Sequence, residues 1–350
     1  MSETLIIDGV CHPYNFSPEN VRGRFGEQFA DVMHSFHPNI NPPGHLTRDE
    51  WNREWQVDEF MGTMLLESET DVCCVHTLPI YDAFEDGLVA TEKGRELKER
   101  FPDRVLWYAG IEMFAEPEEI LAEAREVIAQ GCDGIKLYPS RYEEGFTNFW
   151  RMDDKDSAFR LYELCLEKGI NNIAVHKVLP LGPVSSDGMG VDDISAAANN
   201  FPELNFQIVH AGFMFVDETK MLMMNHPNVY ATMEASFLFC IINPMEMARL
   251  LGEFIGYGGP HRVIYASAAV NPHPQRVIEA VRAFQMPEGA PPLTDEVRDM
   301  IFGGNLARLH GIDPAAHKAR LADDPFSKVR ASEGLRPYWS HVRGEASIPA

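Results

Sequence analysis

Eight short runs of apolar, often β-branched residues recur along this 350-residue chain, most of them followed by a helical pattern. They are Leu5–Val10, Asp71–Thr77, Arg104–Ile111, Gly134–Tyr138, Asn172–His176, Asn205–His210, Asn228–Glu234 and Arg262–Ser267. Strands apolar on both faces and alternating with helices call for parallel pairing, with helices covering the sheet. Eight such units favour an α/β fold of the closed (β/α)8 TIM-barrel type over a doubly wound sheet. No GxGxxG follows the first run, which weakens the dinucleotide-binding alternative. The helices are well punctuated: PEEILAEAREVIAQG opens on Pro117, carries Glu118 and Glu119 in its first turn and stops at Gly131. The barrel is expected to occupy residues 1–312.

Two segments fall outside the repeat. Residues 12–56 form a Pro- and Asn-rich connection long enough to be a lid loop over the site. Residues 313–350 form a polar C-terminal tail, expected to wrap the barrel or a neighbouring subunit, or to fray. Lys plus Arg number 30 and Asp plus Glu 53, a net charge of −23. That field repels phosphate backbones and anionic lipid, so no nucleic-acid or membrane partner is expected. The six cysteines are scattered without a CxxC pair, no run reaches the length of a membrane span, and the first residues lack a signal-peptide pattern. The expectation is a soluble, cytoplasmic protein with reduced thiols.

In a barrel of this kind the chemistry sits at the C-terminal ends of the strands. Period two puts Asp8, Val10 and His12 on one face of the first strand, with Cys11 facing away. The fifth strand ends at His176, the sixth at His210 and the seventh at Glu234, and the fourth carries Lys136. Three imidazoles at the ends of separate parallel strands suit a divalent metal, with oxygens completing its shell. Glu234 and Lys136 are candidates for the site, or for a salt bridge across the barrel mouth. His76 is expected in the pocket wall. The HxxH pair His34 and His37, with His45 nearby, would suit a metal only on a helix, and Pro38, Pro42 and Pro43 argue against one. Phe213, Phe215, Phe237 and Phe239 follow strands six and seven and would line the mouth.

The opening IID…H, the VH at His176, the HAG at His210, RVIYAS followed by PHP, and IFGGNLARLHGI together resemble the amidohydrolase superfamily. The likeness is to the amidohydrolase-related branch that includes aminocarboxymuconate semialdehyde decarboxylase, and it spans most of residues 5–312. It implies an HxH metal pair on strand one, histidines on strands five and six, and an aspartate closing strand eight. Here Val10 stands where the first histidine is expected and Ala268 where the aspartate is expected. Glu234, Asp8 or the long loop could supply the missing donor, and a carboxylated Lys136 could bridge two ions, as in some superfamily members. Three accounts of Ala268 compete: a natural pseudoenzyme, a different base such as Glu234, or a deliberately inactivated variant. Retention of His12, His176 and His210 points to the third.

What this implies is a metal-dependent hydrolase acting through a metal-activated water on an amide, ester or thioester of a carboxylic acid. The ion would be Zn2+ by default, with Fe2+ or Mn2+ as alternatives, and one or two ions would be held by His12, His176, His210, Glu234 and Lys136. The position of Ala268, His210 and Glu234 would handle protons. The alternatives are a metal-dependent, non-oxidative decarboxylase of an aromatic or unsaturated acid, and a non-catalytic ligand-binding protein. The partner would be a small molecule, and since superfamily relatives are often dimers, a homo-oligomer is expected.

Overall fold

The computed structural model describes residues 4–41 and 44–349. Eight parallel strands follow one another around a barrel: β1 (Ile7–Cys11), β2 (Val72–His76), β3 (Val105–Ile111), β4 (Gly134–Leu137), β5 (Asn172–His176), β6 (Asn205–Val209), β7 (Val229–Thr232) and β8 (Val263–Ile264). The ring closes where the Gly9 amide donates to the Tyr265 carbonyl at 3.0 Å and the His12 amide to Ala269 O at 2.6 Å. Each strand is covered by helices outside and by its neighbours' side chains within, so nearly every strand residue is buried. That two-sided burial produces the uninterrupted apolar runs of the sequence. The barrel interior holds Leu5, Ile7, Val10, Cys74, Leu106, Tyr108 and Ile264.

The pairing of β1 with β2 is irregular between Asp8 and Cys11. The extra residue breaks the expected alternation. Val10 packs into the barrel interior beside Ile7, while Asp8 turns its carboxylate to Ser267, accepting from its amide at 2.9 Å and from its hydroxyl. Asp8 is therefore not the substitute donor that period two suggested. The helix Asp295–Asp299 and its continuation through Gly303 show why the IFGG signature needs glycine. A Cβ on Gly303 would lie 2.1 Å from the Leu5 carbonyl oxygen, so only glycine lets the helix approach β1.

The segment 12–56, expected to be a loop, carries two helices, Gly23–Ile40 and Arg48–Trp51. Pro38 lies inside the longer one, and His34 and His37 are both helical, contrary to the sequence argument. Pro42 and Pro43 lie outside the described residues. The helix persists because Phe25, Phe29, Met33 and Ile40 bury one apolar face, which outweighs the one hydrogen bond that proline removes. His37 is not available to a metal: its Nδ1 lies 2.7 Å from Asn271 O and its Nε2 accepts from the Leu46 amide.

Residues 313–349 pack onto the barrel. Helices Pro314–Leu321 and Pro325–Glu333 are capped by Asp313 and Asp324, and Trp339 is fully buried. Glu67, also fully buried, accepts hydrogen bonds from the amides of Trp339 (2.7 Å) and His341 (2.9 Å), from Ser340 Oγ, and from the rings of His341 and His273. Gly62 makes room: a Cβ there would lie 2.2 Å from the His341 ring. At the other end of the segment, buried Asp71 pairs with Lys318 and Arg330. No helix among the described residues is long and apolar enough to cross a membrane.

Candidate active site

His12, Lys136, His176, His210 and Glu234, which stand at the C-terminal ends of β1, β4, β5, β6 and β7, all border one cavity of about 160 Å³ together with Ala268. His12 Nε2 lies 3.3 Å from Glu234 Oε1, His210 Nε2 3.4 Å from Glu234 Oε2, and His210 Nε2 3.0 Å from His176 Nδ1. The far sides of two rings are fixed by backbone: His12 Nδ1 is 2.9 Å from His76 O and His176 Nε2 is 2.6 Å from Leu179 O. A carbonyl can only accept, so those nitrogens carry protons, and in the neutral rings the opposite nitrogens present lone pairs to the site. The His210 Nδ1 is buried and has no partner among the described residues.

Electrostatics divide the roles. Burial pushes the Glu234 carboxyl up, but the imidazoles of His210 and His12 and the Lys136 ammonium outweigh it and hold it at about 2. Burial lowers His210 to about 4 despite the pull of Glu234, and drives His176 well down, helped by His210 and Lys136. Lys136 falls from 10.5 to about 8 because it is desolvated, Glu234 opposing the drop. At neutral pH the floor therefore holds one carboxylate, one ammonium and neutral His176 and His210. The Lys136 amine makes no hydrogen bond among the described residues. His210, Ala235 and Ala268 have φ of 67°, 58° and 66°, so three residues at neighbouring strand ends occupy the left-handed region. Such backbone is costly for residues with a Cβ and tends to gather at functional sites.

Sequence reasoning missed several contributors. Tyr14 stacks on His12 at 5.1 Å and Tyr138 lies 4.3 Å from the His176 ring; each sits two residues beyond a site residue, the one signal that could have found it. Asn271, Leu179 and Leu181 enter from loops. The helix Gly23–Ile40 supplies Phe29, Met33, Phe36 and Ile40 to the wall. Of the four expected mouth phenylalanines, Phe213 and Phe239 reach the cavity, whereas Phe237 packs on Tyr265 inside the core. His76 contributes its carbonyl, not its ring, which stacks on Tyr108 at 4.7 Å away from the cavity.

Among the described residues, no group of three or more His, Cys, Asp or Glu side chains stands in ion-holding geometry. The donors and their pairwise spacing nevertheless suit a metal. Imidazole nitrogens and carboxylate oxygens around a tetrahedral ion at ~2.0–2.1 Å lie about 3.3 Å from one another. The His12–Glu234, His210–Glu234 and His210–His176 separations of 3.3, 3.4 and 3.0 Å match that spacing. Between His12 Nε2 and Glu234 Oε1 there is room for one positive charge, a proton on the ring or a metal ion in its place.

The amidohydrolase family model matches residues 89–312. Solved structures share the fold. A TIM-barrel protein from Bordetella bronchiseptica is 17% identical, with a TM-score of 0.66 over 89% of this chain and 99% of that one. A probable 2-pyrone-4,6-dicarboxylic acid hydrolase from Acinetobacter baumannii, with citric acid bound, is 12% identical, with a TM-score of 0.56 over 88% and 99%. A 5-carboxyvanillate decarboxylase from Novosphingobium aromaticivorans, with bound manganese, is 12% identical, with a TM-score of 0.56 over 88% and 97%. No curated protein matches the chain.

Proposed function

The chain belongs to the amidohydrolase family, and from its site we propose that it is a metal-dependent hydrolase of a small, largely apolar carboxylic-acid derivative: an amide, ester or thioester. The observation that carries this reading is a cluster of imidazoles, carboxylate and ammonium, each drawn from a different strand end, at the floor of one cavity. His12, His176, His210 and Glu234 would hold the ion. A divalent ion there supplies Lewis acidity, polarising a carbonyl and making water a nucleophile near neutral pH.

The remaining work falls to the chain's own groups. Lys136 presents a desolvated cation to the oxygen of the acyl group or its carboxylate. Glu234, ionised throughout the physiological range, and His210, neutral above about 4, both stand ready to accept a proton from water. His76 and Leu179, through their carbonyls, keep His12 and His176 in the tautomers that face the cavity. Tyr14 and Tyr138 pack against those rings and limit their rotation.

Decarboxylation is the second reading, and Ala268 favours it. An alanine at the end of strand eight can take no proton from water, whereas loss of carbon dioxide requires a proton to be delivered to the carbon that loses it, and the Lys136 ammonium bordering the cavity is a donor that the chain retains. The two reactions are separated by product. Turnover of acyl derivatives in 18O-labelled water should place label in a new carboxylate, whereas decarboxylation releases carbon dioxide and forms no new carboxylate. The experiment should be run with elemental analysis of the chain reconstituted with Zn2+, Mn2+ or Fe2+. Neither product at full metal occupancy would leave only a ligand-binding role.

A further inference from the structure

The charge inventory of the cavity narrows what it can take. Among the residues bordering it, Lys136 and Glu234 are the only Asp, Glu, Lys or Arg side chains. Lys136 is fully buried, its amine forms no hydrogen bond among the described residues, and it borders the cavity. An ammonium carried out of water and left without hydrogen-bond partners is expensive, so an anionic ligand atom that reached it would recover much of that cost. Above this floor the wall is mostly hydrocarbon, Phe29, Met33, Leu78, Ile80, Leu88 and Leu181 among others, and its polar members, Tyr14, Tyr138 and Asn271, are uncharged side chains. Apart from the ion that the floor would hold, no second cation stands along this wall among the described residues to receive a carboxylate at the far end of a ligand. At the rim the apolar lining continues into solvent, with Phe36 54% and Ile242 57% exposed.

We propose that the site selects a monoanionic amphipath, a single carboxylate or its acyl derivative seated at Lys136 with an unbranched alkyl or aryl-alkyl body running up the wall to Phe36 and Ile242. This deepens the hydrolase reading and rests on it only for the step that follows binding. A dicarboxylate would bury its second charge against leucine and phenylalanine, a cost that its added contacts cannot offset. The bound citric acid of the Acinetobacter baumannii structure belongs to the class that this cavity excludes.

The selection reads out in binding, without turnover. Calorimetric titration of the full chain with the straight-chain alkanoates from butanoate to decanoate should show affinity rising by about fourfold for each added methylene, as expected for apolar burial. The matched α,ω-dicarboxylates should bind at least 100-fold more weakly than the monoacids of equal length. Lys136→Met should abolish the preference for the carboxylate over the neutral primary amide of the same chain. Phe36→Asp, at an exposed position where folding is not at risk, should weaken decanoate by at least ten times as much as butanoate. Affinity that is flat with chain length, dicarboxylates that bind as tightly as monoacids, or a Phe36→Asp variant that treats both acids alike would overturn the proposal. Failure of the hydrolase reading looks different: the favoured acid binds as described, but its thioester and amide are not cleaved. Cleavage of a dicarboxylate derivative with no cleavage of the monoacid counterpart would sink this inference and leave hydrolysis standing.

Discussion

Glu234 and His12 meet across the floor of the cavity: Oε1 of the one lies 3.3 Å from the imidazole nitrogen that the other, held by the His76 carbonyl, turns away from the backbone. At that separation positive charge must lie between the two atoms, either a proton on the ring or a metal ion that replaces it. The pair, more than any single ligand, makes the floor of the cavity a place for a cation.

That relationship predicts a metal-dependent stability. Saturating Zn2+ or Mn2+ at about 100 times its dissociation constant should stabilise the fold by ~2.7 kcal/mol, visible as a rise of a few degrees in Tm by differential scanning fluorimetry, and chelation should reverse it. Glu234→Gln removes the charge and should abolish the rise. An unchanged rise in that variant would place the ion elsewhere.

Ala268 supplies the second prediction. Its φ of 66° is one that aspartate tolerates better than most residues with a side chain, so Ala268→Asp should fold normally. By restoring a carboxylate to the end of strand eight, it should raise turnover by ~10²–10⁴-fold. A variant as inert as the parent would show that the site does not lack a base at this position.

The pH dependence of ligand binding follows from Lys136. Because desolvation lowers it to about 8, the cation that receives a carboxylate disappears as pH rises through that value. Affinity for an alkanoate should be level below pH 7 and fall about tenfold per unit above pH 8. The corresponding neutral amide should show no such fall.

Asp8 predicts a pH-dependent stability of definite sign. Burial, only partly offset by Ser267, raises its carboxyl from 3.8 to about 7. The folded chain therefore binds the proton more tightly than the unfolded chain. Its contribution to stability is complete below pH 3.8 and is lost as pH rises through 7, by on the order of 4 kcal/mol for some three units. Asp8→Asn should lose this component, so that Tm falls less than the parent's between pH 5 and 8.

The buried Glu67 node can be tested by Glu67→Gln. Replacing a carboxylate that receives two amides and two imidazoles should cost about 3–5 kcal/mol and loosen Trp339–His341, detectable as a loss of hydrogen-exchange protection in that segment. Gly62→Ala, which drives a methyl group into the His341 ring, should act on the same segment at ~1–3 kcal/mol.

The barrel was legible because its strands are buried on both faces, which leaves an unbroken apolar run at each of the eight positions. Strand-end polarity carried the site in the same way: His176, His210 and Glu234 close their apolar runs, and a polar residue at such a place has only the mouth to face. What failed to show were features decided by tertiary contact. The irregular pairing in β1 separates Asp8 from the site, and nothing in IIDGVCH signals the extra residue. The helix Gly23–Ile40 contains a proline that local rules place outside a helix, and it holds because one apolar face is buried. His76 sits at a strand end like its counterparts, yet its ring turns to stack on Tyr108, a choice made by a residue 32 positions away.

Four of the hydrocarbon groups bordering the cavity hang from that one helix, outside the eight-stranded frame that sets out the imidazoles. Recognition and reactivity are thus carried by separable pieces of chain. Exchanging the surface of a single inserted segment could retune which molecules are admitted, while the strand ends that act on them stay as they are.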